Sequence, residues 1–178
     1  LAMTPIRLED SIRTIPDFPK PGIMFRDITT LLASPEAFRE SIRLMKEKVA
    51  DLEIEAIAAA EARGFLFGAP LALELNLPVI PIRKPGKLPA ETISYSYDLE
   101  YGSDTLEMHA DAFPQGTKVL IVDDLLATGG TVEACCRLVE KAGGEVVACL
   151  FVIELLGLGG AEKIGKDRTI SLVRYIEG

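Results

Sequence analysis

The chain of 178 residues has no tryptophan, a single histidine (His109) and only three cysteines. Cys135, Cys136 and Cys149 form neither a C-x-x-C pair nor a disulfide framework, and His109 stands alone, so no structural metal site is expected. The cysteines read as small hydrophobes of a reduced protein, and His109 as a surface or edge residue. Long apolar runs are missing too. None reaches the length needed to cross a bilayer, and the amino terminus lacks a basic segment followed by a hydrophobic stretch and cleavage site. A cytoplasmic protein without membrane contact is expected, starting naturally at Met3. Positive charge is in deficit, with 19 Lys and Arg against 27 Asp and Glu, a net charge of −8 and a pI near 4.8. That balance argues against general binding to nucleic acid or anionic membrane, both polyanions. Any anionic ligand must be met by local positive groups.

Apolar residues make up 48% of the chain, enough for one domain with a substantial core. After a short helix from about Leu8, Pro16, Pro19, Pro21 and Gly22 turn the chain repeatedly, which predicts a small lobe or a long loop. Ser34-Pro35-Glu36 then opens a helix with a capping residue and a proline at its first position. Phe38, Ile42, Met45 and Val49 give that helix an apolar stripe. Ile54 to Ala60, Val79 to Ile82, Lys118 to Val122, Val146 to Ile153 and Thr169 to Val173 are short apolar runs, separated by helical patterns at Phe65 to Leu75 and Val132 to Ala142. Such alternation predicts an α/β fold: an open, mostly parallel five-stranded sheet flanked by helices. The stretch Lys84 to Thr117 breaks the alternation. Pro85, Gly86 and Pro89 mark a loop, and Thr92 to Tyr97 and Thr105 to His109 alternate as an antiparallel hairpin around Glu100-Tyr101-Gly102-Ser103. An insertion of that length in a compact domain is usually functional. The organisation expected is a single domain over 1–178, with a small hood at 12–30, a loop and hairpin lid at 84–111, and a strand–turn–helix unit at 118–143.

That last unit carries the chemistry. Val119 to Val122 reads as a strand covered on both faces, and Val132, Cys135, Cys136 and Val139 recur at helical spacing until Gly143-Gly144. Between them, small residues leave the backbone N–H groups of Thr128 to Thr131 free to converge on an anion at the positive end of the helix dipole. Asp123 and Asp124 would repel a phosphate, so they face something else: vicinal ribose hydroxyls, or a divalent cation carried in by a polyphosphate. The alternative is a loop in which Thr128 and Thr131 merely cap the helix and the aspartates are solvated. No lysine follows the glycines as in a P-loop, and no G-x-G-x-x-G opens a helix.

The run Val119-Leu-Ile-Val-Asp123-Asp124-Leu-Leu-Ala127-Thr128-Gly129-Gly130-Thr131 resembles the phosphoribosyl-pyrophosphate loop of type I phosphoribosyltransferases. Pro19-Lys-Pro-Gly22-Ile-Met-Phe25-Arg26-Asp27-Ile28, Ala62-Arg63-Gly64-Phe-Leu-Phe-Gly68, Arg83-Lys84-Pro-Gly-Lys87-Leu-Pro and Tyr97-Asp-Leu-Glu100-Tyr101-Gly102 are similar, in order and spacing, to the adenine-specific family within that class. The resemblance implies transfer of the 5-phosphoribosyl group from phosphoribosyl pyrophosphate to N9 of adenine, giving AMP and pyrophosphate in purine salvage. Two alternatives stay open: a non-catalytic purine or phosphoribosyl-pyrophosphate sensor on the same fold, and a transferase for a different nucleobase.

Site roles follow from the resemblance. Asp123, Asp124, Ala127, Thr128, Gly129, Gly130 and Thr131 would hold the phosphoribosyl group, with Arg63, Lys84 and Lys87 about the pyrophosphate, and the lid residue Tyr101 would also bind phosphoribosyl pyrophosphate or AMP. Glu100, with the two aspartates, is the catalytic candidate, exchanging a proton or hydrogen bond with a ring nitrogen. Met24, Phe25 and Arg26 would take adenine, with Leu158 closing the other face. The resemblance also implies a non-proline cis bond near Glu61-Ala62 that aims the Ala62 N–H at the ligand, magnesium carried mainly by the pyrophosphate rather than by a dedicated protein site, and a homodimer.

Overall fold

The short apolar runs become the strands of one sheet, and a computed structural model describes residues 6–99 and 101–176. In chain order the elements are β1 (Arg13–Pro16), β2 (Met24–Asp27), α1 (Thr29–Leu32), α2 (Pro35–Lys48), β3 (Ala56–Ala60), α3 (Arg63–Leu75), β4 (Val79–Ile82), β5 (Thr92–Leu99), β6 (Gly102–His109), β7 (Lys118–Leu126), α4 (Gly130–Lys141), β8 (Glu145–Leu155), α5 (Gly160–Ile164) and β9 (Thr169–Tyr175). Five strands pair in parallel in the order β4-β3-β7-β8-β9. Each parallel step needs a crossover, which α3 supplies between β3 and β4 and α4 between β7 and β8.

Both faces of the sheet are covered. Val119 and Ile121 of β7 pack with Val132, Cys135 and Val139 of α4, while Leu120 and Val122 pack with Phe67 and Leu71 of α3 and Met45 of α2. Side chains alternate across a strand, so a run that is apolar at every position needs two cores. Each fully buried Leu, Ile or Phe in these layers stabilises the fold by about 1.5–3 kcal/mol. Ala59 of β3 is small where α3 comes close: a Cβ on Gly68 would lie 2.8 Å from that of Ala59. All three cysteines are buried and free, two of them on α4.

Boundaries differ from expectation where tertiary pairing extends an element. Strand β7 does not stop at Val122 but runs through the acidic pair to Leu126, because Asp123 pairs with Phe151 and Leu126 with Glu154 of β8. The proline-rich amino-terminal segment is structured as a lobe: β1 and β2 form an antiparallel pair, tied by Asp27. Its carboxylate accepts from Arg13 Nε at 2.9 Å, Thr29 N at 2.9 Å and Thr29 Oγ1 at 2.8 Å. The inserted segment is the expected hairpin, β5 against β6, hung on the main sheet by a bridge between Arg83 and Glu107. His109 sits at its base, where Nε2 accepts from Ala90 N at 3.3 Å.

Candidate active site

The carboxyl ends of β3 and β7 place an arginine and two aspartates together. Arg63, first residue of α3, sets its Nε 2.8 Å from Oδ2 of Asp124, which is 5% exposed. Asp123 Oδ1 accepts from Asp124 N at 2.8 Å. Gly64 makes this approach possible, since a Cβ there would lie 3.0 Å from Asp123 Oδ1. Burial pushes the Asp123 carboxyl well above the ordinary range and the neighbouring Asp124 charge adds to it, only partly offset by Arg63. A group held this way gains when a hydroxyl donor or a cation arrives.

Beyond the strand, residues 127–131 wrap a cavity of about 250 Å³ lined also by Arg63, Tyr97, Asp123 and Asp124. Gly129 stands at the helix N-cap with φ 89°, a conformation that favours glycine, and no side chain caps α4. The hydroxyls of Thr128 and Thr131 are therefore not consumed in capping. Thr131 Oγ1 instead lies 3.4 Å from Tyr97 OH on the lid. The loop is braced from behind by the start of α5. A Cβ on Gly160 would be 2.5 Å from Ala127 O and 2.8 Å from the Leu126 side chain.

A second cavity, of about 300 Å³, adjoins the first and shares Arg63 and Asp124 with it. Met24, Phe25 and Arg26 line it, together with Leu125 and Leu155. The Phe25 ring is held edge-on by Phe18, centroids 5.1 Å apart. Arg26 donates from Nη1 to Thr14 Oγ1 at 2.7 Å, and its guanidinium lies 3.9 Å from the centre of the Tyr175 ring. Leu158 stands outside both linings; Leu125 and Leu155 occupy the apolar wall instead.

The lid residues are placed less uniformly. Lys84 pairs through Nζ with Asp104 of β6, and its backbone N donates to Glu61 Oε1 at 2.8 Å. Glu61 also accepts from Arg83 Nε at 3.2 Å, joining the ends of β3 and β4, and the Glu61–Ala62 peptide is cis. Lys87 is exposed, and Tyr101 is 89% exposed; neither lines either of these two cavities. Glu100 lies outside the described residues. Strand β5 packs on α4, with Lys141 Nζ donating to Ser94 O at 3.1 Å. Among the described residues, no three His, Cys, Asp or Glu side chains gather to hold a metal ion.

Several residues that shape the site gave little sign in the sequence. Glu61, Asp104, Leu125 and Leu155 act through partners distant in the chain. For Gly64 and Gly160 the available signal was a glycine at a helix start.

A parallel sheet with an acidic pair and a hydroxyl-bearing anion loop at the carboxyl end of β7 defines an α/β protein that handles phosphorylated sugars. Residues 27–172 match the phosphoribosyl transferase domain, and the chain belongs to that family. It is 57% identical over 168 residues to the adenine phosphoribosyltransferase of Carboxydothermus hydrogenoformans, covering 94% of this chain and 99% of the relative. The crystal structure of adenine phosphoribosyltransferase from Thermoanaerobacter pseudethanolicus is similar, with a TM-score of 0.91, 52% identity, and coverage of 95% of this chain and 100% of that one. The Saccharomyces cerevisiae adenine phosphoribosyltransferase, solved with an imino-altritol bisphosphate and adenine, has a TM-score of 0.84 and 38% identity, covering 92% of this chain and 94% of that one. No helix among the described residues is long and apolar enough to cross a membrane.

Proposed function

We infer that the chain is a pentosyltransferase of purine salvage, moving the 5-phosphoribosyl group from phosphoribosyl pyrophosphate to N9 of adenine and releasing pyrophosphate and AMP. The observation that carries this reading is the pair of adjoining cavities sharing Arg63 and Asp124, one walled by the anion loop and the other by the Phe25 segment. The relatives, named adenine phosphoribosyltransferases, supply the choice of base.

In this reading the N–H groups and hydroxyls of residues 127–131 take the 5-phosphate, and Asp123 and Asp124 accept from the ribose hydroxyls. As the bond to pyrophosphate lengthens, positive charge grows on the ribose and the two carboxylates favour it, while Arg63, Lys84 and Lys87 meet the leaving oxygens. Magnesium enters with the pyrophosphate as part of the substrate and neutralises its charge. Phe25 stacks on the purine, the Met24 and Arg26 backbone reads its edge, and Glu100 exchanges a proton or hydrogen bond with a ring nitrogen. Hairpin β5–β6, with Tyr101 near its tip, excludes water that would trap the ribosyl cation.

The setting proposed is cytoplasmic, with neither nucleic acid nor membrane as partner, and the assembly a homodimer. The groove of about 680 Å³ between α2 and α3, where Leu73 is 85% exposed, supports a second copy seated there. The test of function is turnover by the purified protein with magnesium, phosphoribosyl pyrophosphate and each nucleobase in competition. AMP and pyrophosphate should appear in equal amounts from adenine. Preferential use of guanine, xanthine or orotate would overturn the base assignment, and tight binding without pyrophosphate release would make the protein a sensor.

A further inference from the structure

Lys84 is not in the crevice that its charge would serve. It is absent from the lining of the phosphate-loop cavity, and its ammonium pairs with Asp104 Oδ2. The same oxygen lies 3.4 Å from Tyr97 OH, which in turn is 3.4 Å from Thr131 Oγ1. Tyr97 and Asp104 are cross-strand partners in the hairpin, so its register sets them side by side. Asp104 Oδ1 accepts from Thr105 N at 2.9 Å, which turns Oδ2 toward both the lysine and the tyrosine. The Tyr97 ring covers the start of α4, where a Cβ on Gly130 would meet it at 3.7 Å. A continuous chain of contacts therefore runs from the phosphate loop to the lysine: Thr131, Tyr97, Asp104, Lys84.

We propose that Asp104 is a positioning residue that holds Lys84 away from the pyrophosphate site until substrate arrives, with Tyr97 coupling that hold to the phosphate loop. The proposal deepens, and rests on, the function inferred above. One ammonium cannot serve two anions fully, so the Asp104 carboxylate competes with pyrophosphate oxygens for Lys84. Asp104 keeps the lysine charged and the lysine keeps Asp104 ionised, so the contest is between charged partners throughout the neutral range. Tyr97 OH already donates to Asp104 Oδ2; when a 5-phosphate engages the Thr131 hydroxyl, the tyrosine keeps only that carboxylate as partner and its donation tightens, which weakens the carboxylate's hold on the lysine. After transfer, Asp104 offers Lys84 a place to return to, and pyrophosphate leaves a site that has lost one of its cations. A lysine without this second partner would bind substrate and product more tightly alike.

Asp104→Asn keeps the side-chain shape and removes the charge. The side chains of Lys84 and Asp104 are 47% and 25% exposed, so the effect is that of a partly solvated pair. The expected result is a fall of roughly two- to fivefold in both the KM for phosphoribosyl pyrophosphate and the inhibition constant of pyrophosphate, with the KM for adenine unchanged. Both shifts should vanish on a Lys84→Ala background. Tyr97→Phe should raise the phosphoribosyl-pyrophosphate KM in the parent chain and leave it unaltered beside Asp104→Asn. An unchanged or raised KM in Asp104→Asn, or an equal shift with and without Lys84, would overturn the proposal. Should the variant misfold, the parent protein provides the same decision. The Lys84 side-chain nitrogen resonance should move on adding phosphoribosyl pyrophosphate and stay put on adding adenine; no movement with the former overturns it. A parent protein that makes no AMP signals failure of the functional reading instead, whereas an active parent with the wrong Asp104 response leaves that reading intact.

Discussion

Gly160 crosses Ala127 so closely that a Cβ at residue 160 would sit 2.5 Å from the Ala127 carbonyl oxygen. The contact pins the first residue of the anion loop to the start of α5, from an element that touches no substrate in the proposed chemistry. Gly160→Ala must push the loop aside or tilt α5, at a cost of about 1–3 kcal/mol. The KM for phosphoribosyl pyrophosphate should rise about tenfold or more while adenine binding, measured by calorimetry, changes little. Equal losses for both substrates would mean that the strain spreads through the whole sheet.

Arg63 and Asp124 should be unequal under mutation. Asp124→Ala removes an acceptor for the ribose hydroxyls and a stabiliser of positive charge in the transition state, and kcat should fall about 10²-fold or more. Arg63→Ala leaves a buried carboxylate without its guanidinium. Arg63 is itself 57% exposed, so the stability loss should be modest, about 1–2 kcal/mol, readable in chemical denaturation.

Asp123 should make the ligand-free protein less stable at neutral pH. Its carboxyl is pushed up by burial and by Asp124, so the folded state holds that proton more tightly than the unfolded chain. The stability this confers is complete below the unfolded value of about 3.9 and is lost as pH rises through the raised folded value. Asp123→Asn should therefore raise Tm at pH 7–8 while abolishing most activity, and the gain should shrink as pH approaches about 4. A Tm difference that does not vary with pH would contradict this.

Asp27 has the opposite sign. The Thr29 backbone N–H, then Arg13, then the Thr29 hydroxyl hold its carboxyl below the ordinary range. Its contribution is present above about 3.9 and fades as pH falls through the lowered value. Asp27→Asn should destabilise the protein by about 1–3 kcal/mol at pH 7 and raise the KM for adenine, because the β1–β2 pair that presents Phe25 loses its tie. The stability difference should narrow in acid.

The sheet was legible because its central strands carry short runs that are apolar at successive positions, a pattern that burial on both faces explains, as in Val119 to Val122. The acidic pair and the glycine-threonine turn were legible for a related reason: carboxylates and small residues at the end of such a strand have few structural uses. What could not be read was pairing across distance. Nothing in the apolar run of β8 marks Leu155 as a wall of the second cavity and Leu158, three residues on, as outside it. The difference lies in where β8 ends and the chain turns. Asp104 looked like one more acid on a hairpin, because its meaning comes from Lys84, and the β1–β2 pair was hidden by prolines whose turns serve a carboxylate at Asp27.

The two cavities adjoin, and Arg63, Asp124 and Leu125 line both. A single inhibitor could therefore join a purine-like ring directly to a phosphorylated five-membered ring, with no spacer to order. Such a molecule converts two captures into one and, with its halves held at the separation the protein already provides, should exceed either half in affinity by about 10²- to 10⁴-fold. Lengthening the junction should forfeit that gain sooner than altering either ring.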